Sequence, residues 1–147
     1  MAAWGSVPIV PRSVLVVDDH EAIRRAVRAV FQIAPEFTVC GEAANGADAI
    51  AKAQQLSPDL IVLDLSMPEM NGIEAATALK YMMPEVPLFL LTAHYSREVE
   101  LAAREAGISA VFSKYEGLGA LVVRARSELG LHTPVGNEPN SQRGSRP

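Results

Sequence analysis

Five polar residues stand at the ends of short apolar runs. Val14–Val17 leads straight into Asp18 and Asp19, Leu60–Leu63 into Asp64, Leu88–Leu91 into Thr92, and a weaker run over Ser109–Ser113 into Lys114. Three carboxylates gathered in one place repel each other, and burying them is costly unless a cation neutralises them. An oxygen-rich group with few carboxylates and room for water suits Mg²⁺, which keeps several waters and also takes phosphate oxygens. An Asp carboxylate can act as a nucleophile toward phosphorus, giving an aspartyl phosphate. Transfer then needs positioning and neutralisation of the phosphoryl oxygens more than further covalent chemistry. In such a site Asp64 is the nucleophile, Lys114 a positive charge beside the metal, and Thr92 a hydroxyl donor.

Each residue also has an ordinary explanation. Asp18 or Asp19 could cap the helix that follows, Asp64 could be a loop acid, Thr92 a strand-end hydroxyl and Lys114 a solvated charge. What argues against five separate explanations is the shared position. In open parallel sheets ligands bind beyond the carboxyl ends of the strands, and four strands here deliver polar groups to that one edge.

The elements that must position them follow from periodicity. The runs Val14–Val17, Leu60–Leu63 and Leu88–Leu91 are apolar throughout, as strands covered on both faces must be. Phe37–Glu42 and Ser109–Ser113 are weaker strand candidates. Between them lie five stretches with helical spacing. Ile23, Val27, Val30 and Phe31 make one stripe, with Arg24, Arg25 and Arg28 pointing elsewhere. Ile50, Ala53 and Leu56 make a second after Asn45-Gly46, and Ile73, Ala76, Leu79 and Lys80 a third that Pro84 must end. Val99, Ala102, Ala103 and Ala106 form a fourth closed by Gly107. Leu118, Leu121, Val122, Ala125 and Leu129 form the fifth. Strand and helix alternating five times predict an α/β fold, a parallel sheet with helices on both faces and right-handed crossovers.

Composition narrows the class further. The chain has 147 residues, 49% hydrophobic and 20% charged, which fits one globular domain. Aromatics at 5% leave Val, Leu, Ile and Ala to build the core. A net charge of −4 without any Lys/Arg run argues against direct nucleic-acid binding. One cysteine, Cys40, excludes an intrachain disulfide and a zinc site of its own, and the composition suits a reducing cytoplasm. No apolar stretch is long enough to span a bilayer, so no membrane association is expected. Pro8 and Pro11 interrupt the opening residues, which lack the basic start of a signal peptide. Residues 1–12 are expected to be a flexible leader, 13–131 the domain, and 132–147, rich in Pro and Gly, a disordered tail or the start of a linker.

Taken as a set, Val14-Leu15-Val16-Val17-Asp18-Asp19-His20, Asp59 to Gly72, Leu91-Thr92-Ala93 and Phe112-Ser113-Lys114 resemble the receiver domain of two-component response regulators. The resemblance covers roughly Ser13 to Leu131 and keeps the order of every motif. It implies a flavodoxin-like five-stranded sheet in the order 2-1-3-4-5, which sets strand one beside strand three and brings Asp18 and Asp19 next to Asp64. It implies that Asp64 takes a phosphoryl group from a sensor histidine kinase or phosphotransfer protein. Asp19 and Asp64 would bind Mg²⁺ directly, Asp18 largely through water, and the Ser66 backbone carbonyl would complete the protein ligands. Thr92 and Lys114 would hold the phosphoryl oxygens, while Ser66 and His94, each two residues past a site residue, would tune the acyl phosphate's lifetime. The signal would leave through the fourth helix, fifth strand and fifth helix, by partner binding or homodimerisation. No enzymatic turnover beyond self-phosphorylation and self-dephosphorylation is expected.

Two residues depart from that pattern. Receivers usually carry an aromatic three positions before the lysine, where Val111 stands here with Phe112 beside it, so the aromatic half of the usual switch is in question. Many follow the lysine with proline; Tyr115 follows here, and a trans bond is expected. Gly41 to Gly46 resembles receivers attached to helix-turn-helix output domains, but the ending of the chain favours a stand-alone receiver over part of a longer DNA-binding regulator. An Asp-nucleophile phosphohydrolase would carry a second acid where Ser66 stands. A flavin carrier of the same fold would need a phosphate-cradling loop after strand one. Neither feature is present.

Overall fold

The computed structural model describes residues 10–131. Five strands alternate with five helices: β1 Arg12–Val17, α1 Glu21–Gln32, β2 Phe37–Ala43, α2 Gly46–Leu56, β3 Leu60–Asp64, α3 Gly72–Met82, β4 Leu88–Thr92, α4 Arg97–Glu105, β5 Ala110–Ser113 and α5 Gly119–Glu128. The strands pair in parallel in the order β2-β1-β3-β4-β5, the order implied by the resemblance. β1 starts one residue before the expected boundary at Ser13. The leader and tail expected over 1–12 and 132–147 lie, for residues 1–9 and 132–147, outside the described residues.

The sheet divides the core in two, because successive strand side chains point to opposite faces. Leu15, Val17, Ile61, Leu63, Leu88 and Leu90 face α2, α3 and α4, whose contributions are mostly alanines: Ala49, Ala53, Ala75, Ala76 and Ala103. Val14, Val16, Leu60, Val62, Phe89 and Leu91 face the larger side chains of α1 and α5, among them Phe31 and Leu121. Each Val, Leu, Ile or Phe side chain so buried contributes roughly 1.5–3 kcal/mol of transfer free energy, and each alanine less. A bulge between Val14 and Leu15 of β1 sets Cys40 out of register in β2, where its thiol is half-buried against the Val14 carbonyl. Burial raises that thiol above its ordinary pKa, which favours the protonated form over the nucleophilic thiolate.

Helix ends follow local chemistry. Asn71 caps α3 in a reciprocal box with Glu74, and Met83 closes it just before Pro84. α4 ends as expected at Gly107, whose φ of +92° is cheap only for glycine. There Ile108 N–H reaches the Ala103 carbonyl at 2.9 Å and Gly107 N–H the Arg104 carbonyl at 3.0 Å. Among the described residues, no helix is long and apolar enough to cross a membrane.

Candidate functional site

The C-terminal edge of β1, β3, β4 and β5 carries the polar residues. Beyond the last rung, Asp18 N–H bonds the Ala43 carbonyl at 3.0 Å, which fixes where the chain leaves the sheet. Asp18 Oδ1 then accepts the His20 N–H at 2.9 Å. This tight turn settles the capping alternative: His20 itself is the N-cap of α1, and no side chain caps that helix. Both aspartates are thus left for the site.

Asp64, the last residue of β3, is 2% exposed, and Asp18 is 1% exposed. Between them sits the Lys114 ammonium, 2.9 Å from Asp64 Oδ1 and 3.0 Å from Asp18 Oδ2. Lys114 reaches this position because its N–H bonds the Thr92 carbonyl at 2.8 Å, which extends the β4–β5 pairing by one residue. Its side chain is 8% exposed. The Lys114–Tyr115 bond is trans, as expected; no cis bond occurs among the described residues.

One lysine does not balance three acids. Asp18 Oδ2 has only that ammonium near it, Asp19 Oδ1 only the His20 Nδ1 at 3.2 Å, and Asp64 Oδ2 has no partner. Buried oxygens left this way are rare in folded proteins and call for a partner such as an ion or water, or for a chemical role. Burial pushes the Asp64 carboxyl up from its ordinary 3.8 to about 6; the Lys114 bond opposes this and the Asp18 charge adds to it. For Lys114, burial alone would lower the ammonium, but its contacts with Asp64 and Asp18 outweigh that and raise it. Ligand atoms of Asp18, Asp19, His20 and Asp64 lie within 4.8 Å of one another. A hard divalent cation fits this donor set: several carboxylate oxygens, one edge open to water, and excess negative charge.

Thr92, 2% exposed, ends β4 beside Asp64's strand. Its Oγ1 accepts the His94 N–H at 3.0 Å, leaving the hydroxyl proton free to donate. Ser66 and His94 are both exposed, on the loops after β3 and β4. The β3–α3 loop is held tightly. Leu65 N–H bonds the Leu91 carbonyl at 3.1 Å and Gly72 N–H the Leu65 carbonyl at 2.8 Å. A Cβ at Gly72 would come within 2.3 Å of the Asp64 carbonyl oxygen, so only glycine lets α3 begin there. Within the loop Glu69 adopts a φ of +68°, with Met70 N–H on the Pro68 carbonyl at 2.7 Å.

The structure therefore brings Asp18, Asp19, Asp64 and Lys114 together, with Thr92 adjoining and Ser66 on the neighbouring loop. Sequence reasoning gave no role to His20, although it adjoins Asp18-Asp19. It set Arg24 off the apolar stripe, as found, but gave it no role, whereas Arg24 Nη1 donates to the Asp18 carbonyl at 2.7 Å. At the departure from the family pattern, Val111 packs toward α4 and Phe112 toward α5. The Phe112 ring lies 5.1 Å from that of Phe89, so it does not replace the missing aromatic on the Val111 face.

Comparison with known proteins agrees with this geometry. Residues 14–126 match the model of the response regulator receiver domain. A putative transcriptional regulator of Pseudomonas aeruginosa is 38% identical over 84% of this chain and 60% of its own length. The response regulator protein VraR of Staphylococcus aureus is 39% identical over 69% of this chain and 48% of its own. The chain thus spans about half the length of these curated relatives. Among solved structures, a LuxR-family two-component response regulator from Aurantimonas superposes with a TM-score of 0.78 at 27% identity, over 92% of this chain and 99% of that one. The receiver domain of NarL from Mycobacterium tuberculosis does so with a TM-score of 0.73 at 26% identity, over 80% and 97%. With sheet order, acidic edge and sequence all in agreement, the chain belongs to the response regulator receiver domain family.

Proposed function

We propose that Asp64 accepts a phosphoryl group from a phosphohistidine on a sensor kinase or phosphotransfer protein. The observation that carries this is Asp64 itself: buried, with Lys114 on one carboxylate oxygen and no close hydrogen-bond partner on the other. The free oxygen attacks phosphorus as the P–N bond of the donor breaks, and the imidazole takes up a proton. Lys114 and the Thr92 hydroxyl hold the phosphoryl oxygens. Asp18, Asp19, Asp64 and the Ser66 carbonyl would hold Mg²⁺, which when bound neutralises the charge of the incoming group. Ser66 and His94, at the rim, set the lifetime of the acyl phosphate by their size and by what they offer to water.

Output follows from Thr92. When its hydroxyl turns to the phosphoryl group, the loop carrying His94 moves with it, because His94 N–H is bonded to that same oxygen. α4 is free to follow: among its residues only Ala103 is buried, so few contacts resist a shift. Exposed Leu101, Tyr115 and Val123 on or beside α4, β5 and α5 offer apolar surface for a partner or a second copy. Val111 cannot supply the ring that usually moves with the threonine, so the shift of the β4–α4 loop carries the signal without it. A second reading, the receiver of a longer DNA-binding regulator, is supported by the LuxR-family and transcriptional-regulator relatives.

The test is incubation with acetyl phosphate and Mg²⁺, followed by intact-mass spectrometry. A single phosphoryl adduct is expected, absent in Asp64→Asn and in EDTA. An adduct that persists in Asp64→Asn sinks the assignment.

A further inference from the structure

We propose that Arg24 and Glu42 form a positioning device for the acidic loop, holding Asp18 and Asp19 where they take a divalent cation. This rests on the reading of that loop as a Mg²⁺ site.

The need arises at the end of β1. Past the Val17 rung the Asp18 N–H still finds β2, but no neighbouring strand is placed to donate to the Asp18 carbonyl. Arg24, in the first turn of α1, fills that role with Nη1 at 2.7 Å. Its Nε is meanwhile bound to Glu42 Oε1 on β2 at 2.9 Å. The guanidinium fork therefore spans from the sheet to the acidic loop, and its two donors point in fixed directions. Arg28, one turn on, holds the other Glu42 oxygen through its Nε at 2.8 Å. Two arginines four apart on a helix would otherwise repel; the shared carboxylate accounts for both. Lys52 adds a bond to the Glu42 carbonyl at 2.6 Å. Only 18% of the Arg24 side chain is exposed, so the strut is mostly shielded from solvent.

The peptide that Arg24 grips joins Asp18 to Asp19. Its orientation sets where both carboxylates point. Without the fork, that peptide is oriented only by the Asp18 Oδ1–His20 N–H turn, and the two carboxylates are held less firmly toward a common focus.

Charge and position predict opposite results, which makes the idea testable. Removing a positive charge one peptide away from an acidic cation site should, by charge alone, tighten Mg²⁺ binding. Loss of positioning should weaken it. The experiment is isothermal titration with Mg²⁺ alone, no phosphodonor, on wild type, Arg24→Ala, Arg24→Lys, Glu42→Gln, the Arg24→Ala/Glu42→Gln double variant and Asp19→Asn, with folding checked by circular dichroism. Arg24→Ala is expected to bind about tenfold more weakly, the low end for loss of outer support around a metal ligand. Arg24→Lys keeps the charge but not the fork, so it is also expected to bind more weakly; it decides the matter should Arg24→Ala not fold. The double variant should bind no more weakly than Arg24→Ala, because Glu42 acts through the arginine. Affinity in the Arg24 variants equal to or tighter than wild type overturns the proposal. Absent binding in wild type, or unchanged binding in Asp19→Asn, overturns the Mg²⁺ reading instead.

Discussion

Replacing Asp64 by Asn should make the metal-free protein more stable, although it removes the proposed phosphoacceptor. The carboxylate is desolvated, faces Asp18, and has one oxygen without a partner. Its rise from 3.8 to about 6, at about 1.4 kcal/mol per pH unit, corresponds to roughly 3 kcal/mol of strain when it is ionised. An acid that binds its proton more tightly folded than unfolded lowers stability as pH climbs from the unfolded value through the folded one, and keeps it lowered above that. Asn carries no charge but brings an amide that is itself incompletely bonded, and it leaves Lys114 a neutral oxygen in place of a carboxylate. The net gain expected is therefore about 1–2 kcal/mol at pH 8. Urea denaturation followed by circular dichroism in EDTA reads this as a midpoint about 1 M higher for the variant. The difference between the two proteins should shrink as pH falls from about 6 toward 4. Added Mg²⁺ should raise the wild type more than the variant, since binding stabilises only the protein with the full ligand set. A variant less stable than wild type in EDTA at pH 8, or a difference independent of pH, would refute the reasoning.

Other outcomes follow from the same geometry. Lys114→Met leaves Asp18 and Asp64 facing each other with no cation, so a loss of roughly 3–5 kcal/mol is expected in EDTA, partly restored by Mg²⁺; equal urea midpoints with and without Mg²⁺ would count against it. Gly72→Ala forces a methyl against the Asp64 carbonyl; a loss of about 1–3 kcal/mol and slower adduct formation from acetyl phosphate are expected, read by thermal melting and mass spectrometry. Arg28 first, opposed by a smaller effect of burial, and then Arg24 hold Glu42 below the ordinary glutamate value. Its contribution is therefore present above the unfolded value and lost as pH falls through the folded one. Glu42→Gln should flatten the acid limb of a stability–pH profile below about 4.5 while leaving its shape near neutrality unchanged.

Much of this was legible because burial writes itself into composition. β1, β3 and β4 are covered on both faces, so their central residues could be nothing but apolar, and the first polar residue after each run marks the edge where the sheet ends and the buried acidic site begins. That single rule located Asp18, Asp64 and Thr92. Sheet order was different: parallel strands do not announce their neighbours, and the order came from resemblance. Arg24 was missed for a physical reason. On α1, Arg24, Arg25 and Arg28 all lie off the apolar stripe, and nothing local separates the one that reaches back to Asp18 from Arg25, which meets only Glu21. The distinction depends on Glu42, eighteen residues away on β2 and placed by the sheet. His20 escaped notice likewise, since the turn that Asp18 makes with its N–H is what lays its ring against both carboxylates.

The placement of Val111 and Phe112 on opposite faces of β5 also constrains how this chain can change. The ring cannot be brought round by a small adjustment: strand side chains repeat every two residues, so a slip of one would turn the whole strand over and break the rungs Leu90↔Val111 and Leu91↔Phe112 together. Phe112 is committed to its partner Phe89. An aromatic on the α4 side would have to come by substitution at 111 itself, within the room the small alanines of that layer leave.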